Sequence, residues 1–263
     1  MLHTRSVPDV SLQPLSLPGQ PLGPEGRRVG VLVCHGFTGS PTSMRPMGEA
    51  LATEGFAVEV IRLPGHGTTW QELHQTRWDD WYAEVQRGFE QLRTANDLVF
   101  VAGLSMGGSL ALRLAADRPD DVAGLVLINA AVRSDNKALL ALPLLKWVVR
   151  TAPSIGNDIK MEGVDEGGYD VTPLKPLASL VAAWRALRRD LGRVRAPLRL
   201  FRSVEDHVVE ASSGATIMAS VSSADRREIL LDNSYHVATL DHDAPLVFAE
   251  AAAFIREVAS VEG

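Results

Sequence analysis

With one cysteine in 263 residues, Cys34, the chain can form neither an intrachain disulfide nor a cysteine-based zinc site. Positive charge is also scarce. Lys and Arg number 26 against 32 Asp and Glu, for a net charge of −6. That balance argues against nucleic acid or an anionic bilayer as an electrostatic partner. No apolar run approaches the roughly 20 residues that span a hydrocarbon core, so no stable membrane anchor is expected. The first 28 residues are rich in proline (Pro8, Pro14, Pro18, Pro21, Pro24) and lack the apolar stretch of a signal peptide. A cytoplasmic setting is therefore expected. No metal-ligand constellation or dinucleotide fingerprint is present, and no metal or cofactor is expected.

What the chain has is apolar residues in a regular rhythm. They make up 46% of it, enough for a well-buried core, and residues 1–263 read as a single α/β domain. Val29 to Cys34, Phe56 to Ile61, Leu98 to Ala102, Gly124 to Asn129, Leu198 to Arg202 and Glu228 to Leu231 read as strands. Between them lie helical patterns at Pro41–Glu54, Trp78–Leu92, the stretch after Ser105, and Ser212–Val221, with a last one at Pro245–Val258. This alternation predicts a mostly parallel, doubly wound sheet. Val10 to Leu17 alternates like an edge strand. The rhythm breaks at Arg133 and resumes at Pro197, so residues 133–196 are expected to form a cap over the carboxyl edge of the sheet. Within it, Leu139–Val149 is apolar nearly all round. One face of such a helix would pack and the rest could line an acyl pocket. The arginines Arg185, Arg188, Arg189 and Arg193 read as a solvated helix face.

The informative stretch is Asp97-Leu-Val-Phe-Val-Ala-Gly-Leu-Ser105-Met-Gly-Gly-Ser-Leu-Ala-Leu112. A buried strand runs into Gly103-Leu-Ser105-Met-Gly107, and helical spacing follows. Strand, sharp turn and helix are the context that a nucleophile elbow requires. Ser105 would then stand at the carboxyl end of the sheet, with the Met106 amide at a helix N-terminus.

A serine hydroxyl needs a base to take its proton and an acid to hold that base. Among seven histidines, His236 follows the last core strand and completes the chain order Ser…Asp…His. His207 is the runner-up. Asp206 follows strand Leu198–Arg202 and is the candidate acid, with Glu205 as its alternative. The oxyanion of an acyl-transfer intermediate needs two amide donors. Met106 supplies one, and the loop after the first buried strand, His35-Gly36-Phe37, supplies the other through Phe37. His35 is expected to brace that loop.

With these residues assembled, the chain resembles the α/β-hydrolase superfamily, and within it the bacterial monoacylglycerol lipases and related small carboxylesterases. The likeness rests on His35-Gly-Phe-Thr-Gly39, Pro64-Gly-His-Gly67, Asp79-Asp-Trp81, Gly103-Leu-Ser-Met-Gly-Gly108, Glu205-Asp-His-Val-Val209 and Asn233-Ser-Tyr-His-Val-Ala-Thr-Leu-Asp241. It implies an α/β-hydrolase fold with a small cap, a Ser105–His236–Asp206 triad, and an oxyanion hole of Phe37 and Met106. It also implies cleavage of monoacylglycerol through an acyl-enzyme, with transient contact between cap and lipid aggregates. Glu166 matches a cap glutamate that recognises glycerol hydroxyls, although Gly167 and Gly168 stand where bulkier apolar residues are expected. General carboxylesterase activity, or ligand binding with negligible turnover, are the alternatives.

Overall fold

Apolar side chains on successive positions of a strand point to opposite faces, so a strand apolar throughout must be covered on both sides. The computed structural model, which describes residues 9–23, 26–154 and 156–261, shows this arrangement. Residues 1–8 and Pro24 of the lead-in lie outside the described residues. In chain order come α1 (Asp9–Leu12), β1 (Leu15–Leu17), β2 (Val29–Cys34), α2 (Arg45–Thr53), β3 (Ala57–Val60), α3 (Trp70–Gln75) and α4 (Trp78–Arg93). They are followed by β4 (Leu98–Leu104), α5 (Met106–Asp117), β5 (Gly124–Ile128), α6 (Leu142–Leu145), β6 (Thr151–Pro153), β7 (Val171–Pro173) and α7 (Leu174–Asp190). The chain closes with β8 (Leu198–Ser203), α8 (Ala211–Ser220), β9 (Arg226–Leu231) and α9 (Ala244–Val261).

Seven strands form one sheet in the order β1-β3-β2-β4-β5-β8-β9. β1 is antiparallel to β3, and the other neighbours are parallel. One face carries Leu32, Val101, Leu125, Leu127 and Leu200 into a core with α4, α5 and α7. The other carries Val31, Val33, Phe100, Val126 and Phe201 onto α2 and α9. This is the mostly parallel, doubly wound sheet that the strand–helix rhythm implied.

Two stretches differ from the sequence reading. Of the expected edge strand Val10–Leu17, only Leu15–Leu17 pairs, and Asp9–Leu12 is a helical turn. Pro14 lies between them and has no N–H to give a ladder, so pairing begins after it. The apolar run Leu139–Val149 is neither one helix nor a tunnel wall. A 3₁₀ turn (Lys137–Ala141) leads into the four-residue α6, and the chain then turns away. Pro143 sits in the first turn of α6, the part of a helix where a missing N–H is tolerated, so a helix must start there rather than pass through. The result leaves Leu140, Leu144, Trp147 and Val148 between 73% and 85% exposed. The following helix α7 serves two neighbours. Its first turns pack Leu174 and Ala178 against Leu142, while Leu180, Trp184 and Leu187 enter the sheet core.

The sheet and α5 approach most closely at Gly107. A Cβ there would stand 2.3 Å from the carbonyl oxygen of Cys34 and 2.8 Å from that of His35. Both obstacles are backbone, so neither can swing aside. Gly107→Ala should therefore cost at least about 3 kcal/mol, the upper end of ordinary overpacking. That corresponds to a fall in Tm of roughly 6–12 °C by scanning calorimetry.

Candidate active site

The chain leaves β4 at Leu104 and enters α5 at Met106, with no residue between them except Ser105. Turning that sharply forces Ser105 to φ 56° and ψ −115°, a conformation that costs an L-residue on the order of 1–3 kcal/mol. Glycines permit the approach. A Cβ on Gly103 would fall 2.3 Å from the Gly107 carbonyl carbon. The Ser105 amide donates to the Ile128 carbonyl at 2.9 Å, and the Ala131 amide donates to the Ser105 carbonyl at 3.2 Å. The strained turn is thus clamped to the end of β5.

Two amides lie near Ser105, that of Met106 next to it in the chain and that of Phe37 in the loop where a Cβ on Gly36 would stand 3.4 Å from the Ser105 Cβ. Among the described residues, neither the Phe37 nor the Met106 N–H has an intramolecular acceptor. His35 braces the loop that carries Phe37. Its Nδ1 lies 2.8 Å from the Gly36 carbonyl and its Nε2 accepts the Leu63 amide at 3.1 Å, a pairing that fits one neutral tautomer. Burial drives the His35 pKa down to about 4, so the ring stays neutral and keeps both bonds. His66 meets its edge at 5.0 Å and is likewise held well below its ordinary value, chiefly by burial.

His236 Nδ1 lies 2.8 Å from Asp206 Oδ2, and both side chains are buried. The other Asp206 oxygen accepts the amides of Val208 and Val209, each at 2.8 Å. Glu205 instead points at His207 Nε2, 3.5 Å away, with 56% of its side chain exposed. Burial opposes charge on the imidazole, but the Asp206 hydrogen bond and charge, with Glu166 and Asp158 behind, outweigh it and raise the His236 pKa. Burial likewise opposes charge on Asp206. The hydrogen bond and charge of His236, with the two amides, nevertheless hold it below the usual carboxylate range. Ser105 Oγ makes no hydrogen bond to His236 among the described residues. Such contacts are commonly long without substrate and tighten in the reacting complex.

Ser105 opens onto a cavity of about 500 Å³. Its lining is mixed, with apolar Phe37, Leu139, Leu177, Leu180, Trp184 and Val209 alongside polar Arg133, Asn136, Ser154, Asn157, Asp158, His207 and Glu210. Of the Leu139–Val149 run, only Leu139 reaches it. Glu166 does not line this cavity. It is buried behind Gly156, with Oε1 accepting the Asn157 amide and the Glu166 amide donating to Asn157 Oδ1 at 3.1 Å. Gly156 is on the cavity wall, and a Cβ there would meet Glu166 Oε1 at 2.7 Å, so the carboxylate packs directly behind a position that has no room for a side chain. Burial raises the Glu166 pKa.

Sequence reasoning missed Asn129. At φ 44° it closes β5 and places Nδ2 2.7 Å from the His236 carbonyl and 3.0 Å from Ser203 Oγ, while Oδ1 accepts the Ser203 amide at 2.8 Å. The available signal was an asparagine, a residue tolerant of positive φ, at the end of a central strand. Asp158 was missed as well, because nothing local sets it apart from other loop acids.

The chain is similar to known hydrolases in sequence and in fold. A family model described as serine aminopeptidase, S33 matches residues 26–172. The chain is 41% identical over 242 residues to a thermostable monoacylglycerol lipase from Bacillus sp. (strain H-257), covering 89% of this chain and 93% of that protein. It is 25% identical to a carboxylesterase of Bacillus subtilis (strain 168), covering 87% and 92%. A solved structure from work on LipS and LipT, two metagenome-derived lipolytic enzymes, superposes with a TM-score of 0.89 at 40% identity. That match covers 96% of this chain and all of the other.

The raised His236 pKa places the acid limb of the pH–rate profile for a soluble p-nitrophenyl ester above pH 6.5, since the base must be neutral to work. Asp206→Asn should remove most of the turnover, about 10⁴-fold in the comparable protease triad. Glu205→Gln should change it less than threefold or so, because surface charges contribute little. The reverse ranking would transfer the acid to Glu205.

Proposed function

This chain belongs to the serine hydrolase family of the α/β-hydrolase fold, and from that premise we propose that it cleaves monoacylglycerol to glycerol and fatty acid through an acyl-enzyme. It is a carboxylic ester hydrolase, and its substrate is a small-molecule ester. The observation that carries the finer reading is the cavity at Ser105, whose lining offers both apolar side chains and polar ones. A monoacylglycerol likewise has an apolar end and a polar one.

In the proposed reaction, Ser105 Oγ attacks the acyl carbonyl carbon as His236 Nε2 takes the hydroxyl proton. The oxyanion sits between the Phe37 and Met106 amides, each worth about 3 kcal/mol of barrier. Its collapse breaks the ester bond, and His236 returns the proton to the departing glycerol oxygen. Water then attacks the acyl-Ser105 ester with His236 again as base. Fatty acid leaves, and Ser105 is restored. Asp206 stays ionised throughout, holding the imidazole tautomer and offsetting its positive charge. No step requires a cofactor. The place of Glu166 directly behind the cavity-lining Gly156 supports a role in holding glycerol hydroxyls.

Residues 133–196 act in this reading as a cap. Leu139 faces the cavity while its neighbours Leu140, Leu144, Trp147 and Val148 face out. Lys146 and Lys175 lie 5.6 and 5.1 Å from the Trp147 ring. An apolar knob with basic flanks suits transient contact with lipid aggregates. Among the described residues no helix is long and apolar enough to cross a membrane. General carboxylesterase activity is the second reading, favoured by the bond that ties Glu166 Oε1 to Asn157.

Ser105→Ala should abolish hydrolysis and all labelling by a fluorophosphonate without loss of the folded state; label on another serine overturns the scheme. Glu166→Gln should lower kcat/KM for monoacylglycerol roughly 10- to 100-fold more than for the methyl ester of the same acid, the worth of a buried charge-assisted hydrogen bond. Equal losses on both esters would mean that Glu166 only supports the cap fold, and no loss on either would return the function to a general carboxylesterase.

A further inference from the structure

The base and the acid arrive on separate loops, after β9 and β8 respectively, and their relative position must be fixed by something outside both. The segment from Gly156 to Met161, in the insertion between β5 and β8, lies against both loops. Its Asn157 is in the left-handed region at φ 63° and is tied to Glu166, which sets the direction in which the next residue points. That residue is Asp158. Its Oδ2 accepts the amide of His207, the residue after Asp206, at 3.1 Å, and the amide of His236 itself at 3.3 Å. Its Oδ1 lies 2.8 Å from His207 Nδ1, and its backbone carbonyl accepts the Val237 amide at 3.1 Å. Nearby, Asp241 accepts the amides of Lys160, Met161 and Tyr235, so the strap is sewn to the base loop at both ends.

We propose that Asp158 is a positioning residue for the catalytic pair, one carboxylate that spans the acid loop and the base loop and sets their separation. The proposal rests on the Ser105–His236–Asp206 reading. Asn129 already joins Ser203 at the end of β8 to the His236 carbonyl, and Asp158 adds a second tie farther along both loops, because two backbone amides sharing one oxygen cannot move apart without losing a bond. A displacement near 1 Å is enough to cost about two orders of magnitude in rate. The carboxylate also acts through its charge. The groups facing the imidazole are Asp206 from the acid loop, and Glu166 and Asp158 from the insertion. Those facing His207 are Asp158, Glu205 and Asp206, and they raise its pKa, the Asp158 hydrogen bond being the largest contribution. Loss of the Asp158 charge therefore makes His236 less basic, and the base becomes neutral at a lower pH.

The test uses the full chain, a short soluble p-nitrophenyl ester, and the variants Asp158→Asn and Asp158→Ala. Asn keeps one acceptor oxygen and the side-chain volume, so it stays informative if Ala fails to fold. For Asp158→Asn the expected results are a fall in kcat of about tenfold with KM within twofold of wild type. The acid limb of kcat/KM should also move to lower pH by roughly half a unit. Asp158→Ala should lose more kcat than Asn. A residue that only stabilised the insertion would lower Tm and leave the limb in place. A folded Asp158→Asn protein with wild-type kcat and an unmoved limb overturns the proposal. Fluorophosphonate labelling of the wild-type protein separates this from the underlying reading, since failure to label Ser105 would overturn both.

Discussion

Everything in this protein is arranged around the contact between the N-terminus of α5 and the strand ends beneath it. Gly107 rests on the Cys34 carbonyl, and Gly103 rests on Gly107, at distances that admit no side chain. The contact forces the tight turn at Ser105 and its strained backbone. It also leaves the Met106 amide at a bare helix start, where partial positive charge gathers. A turn of that kind persists only when its surroundings over-determine it, and here the clamps from Ile128 and Ala131 do so.

The second organising feature is a concentration of carboxylates around a buried imidazole. Asp206, Glu166 and Asp158 stand on different segments, and together they overcome the burial that would otherwise leave His236 weakly basic. Their own charges are satisfied by backbone amides: Val208 and Val209 for Asp206, Asn157 for Glu166, and His207 and His236 for Asp158. Hydrogen bonds to a carboxylate favour its ionised form, and with the His236 contact they hold Asp206 low, whereas burial raises Glu166. The His35 and His66 rings are kept neutral by burial, so the loop that carries Phe37 is braced without adding charge.

The insertion between β5 and β8 joins these features to the substrate. Helix α7 roots it in the sheet core through Leu180, Trp184 and Leu187, while the Gly156–Met161 strap fastens it to the catalytic loops. Ahead of both anchors in the chain, Leu142 is buried while Leu140, Leu144, Trp147 and Val148 are left to solvent. One segment therefore lines the cavity, orients the catalytic loops and presents an apolar surface.

The sequence by itself determined the sheet and the nucleophile turn. The apolar strands β2, β4 and β5, the helix spacing after Ser105 and the flanking glycines are all local patterns, and the strand ends observed differ by a residue or two from those expected. Candidate site residues were legible where a local device announced them, as with Ser105 between glycines or His236 in its loop. The tertiary structure alone decided the rest. Asp206 and Glu205 are adjacent acids, and only packing turned one towards His236 and the other to solvent. The Leu139–Val149 run reads as core from its composition, yet Pro143 interrupted its helix and the fold gave most of it no partner to pack against. Asn129 and Asp158 act on residues 107 and 78 positions away. Such pairings depend on how strand ends converge in space, and no periodicity along the chain encodes that.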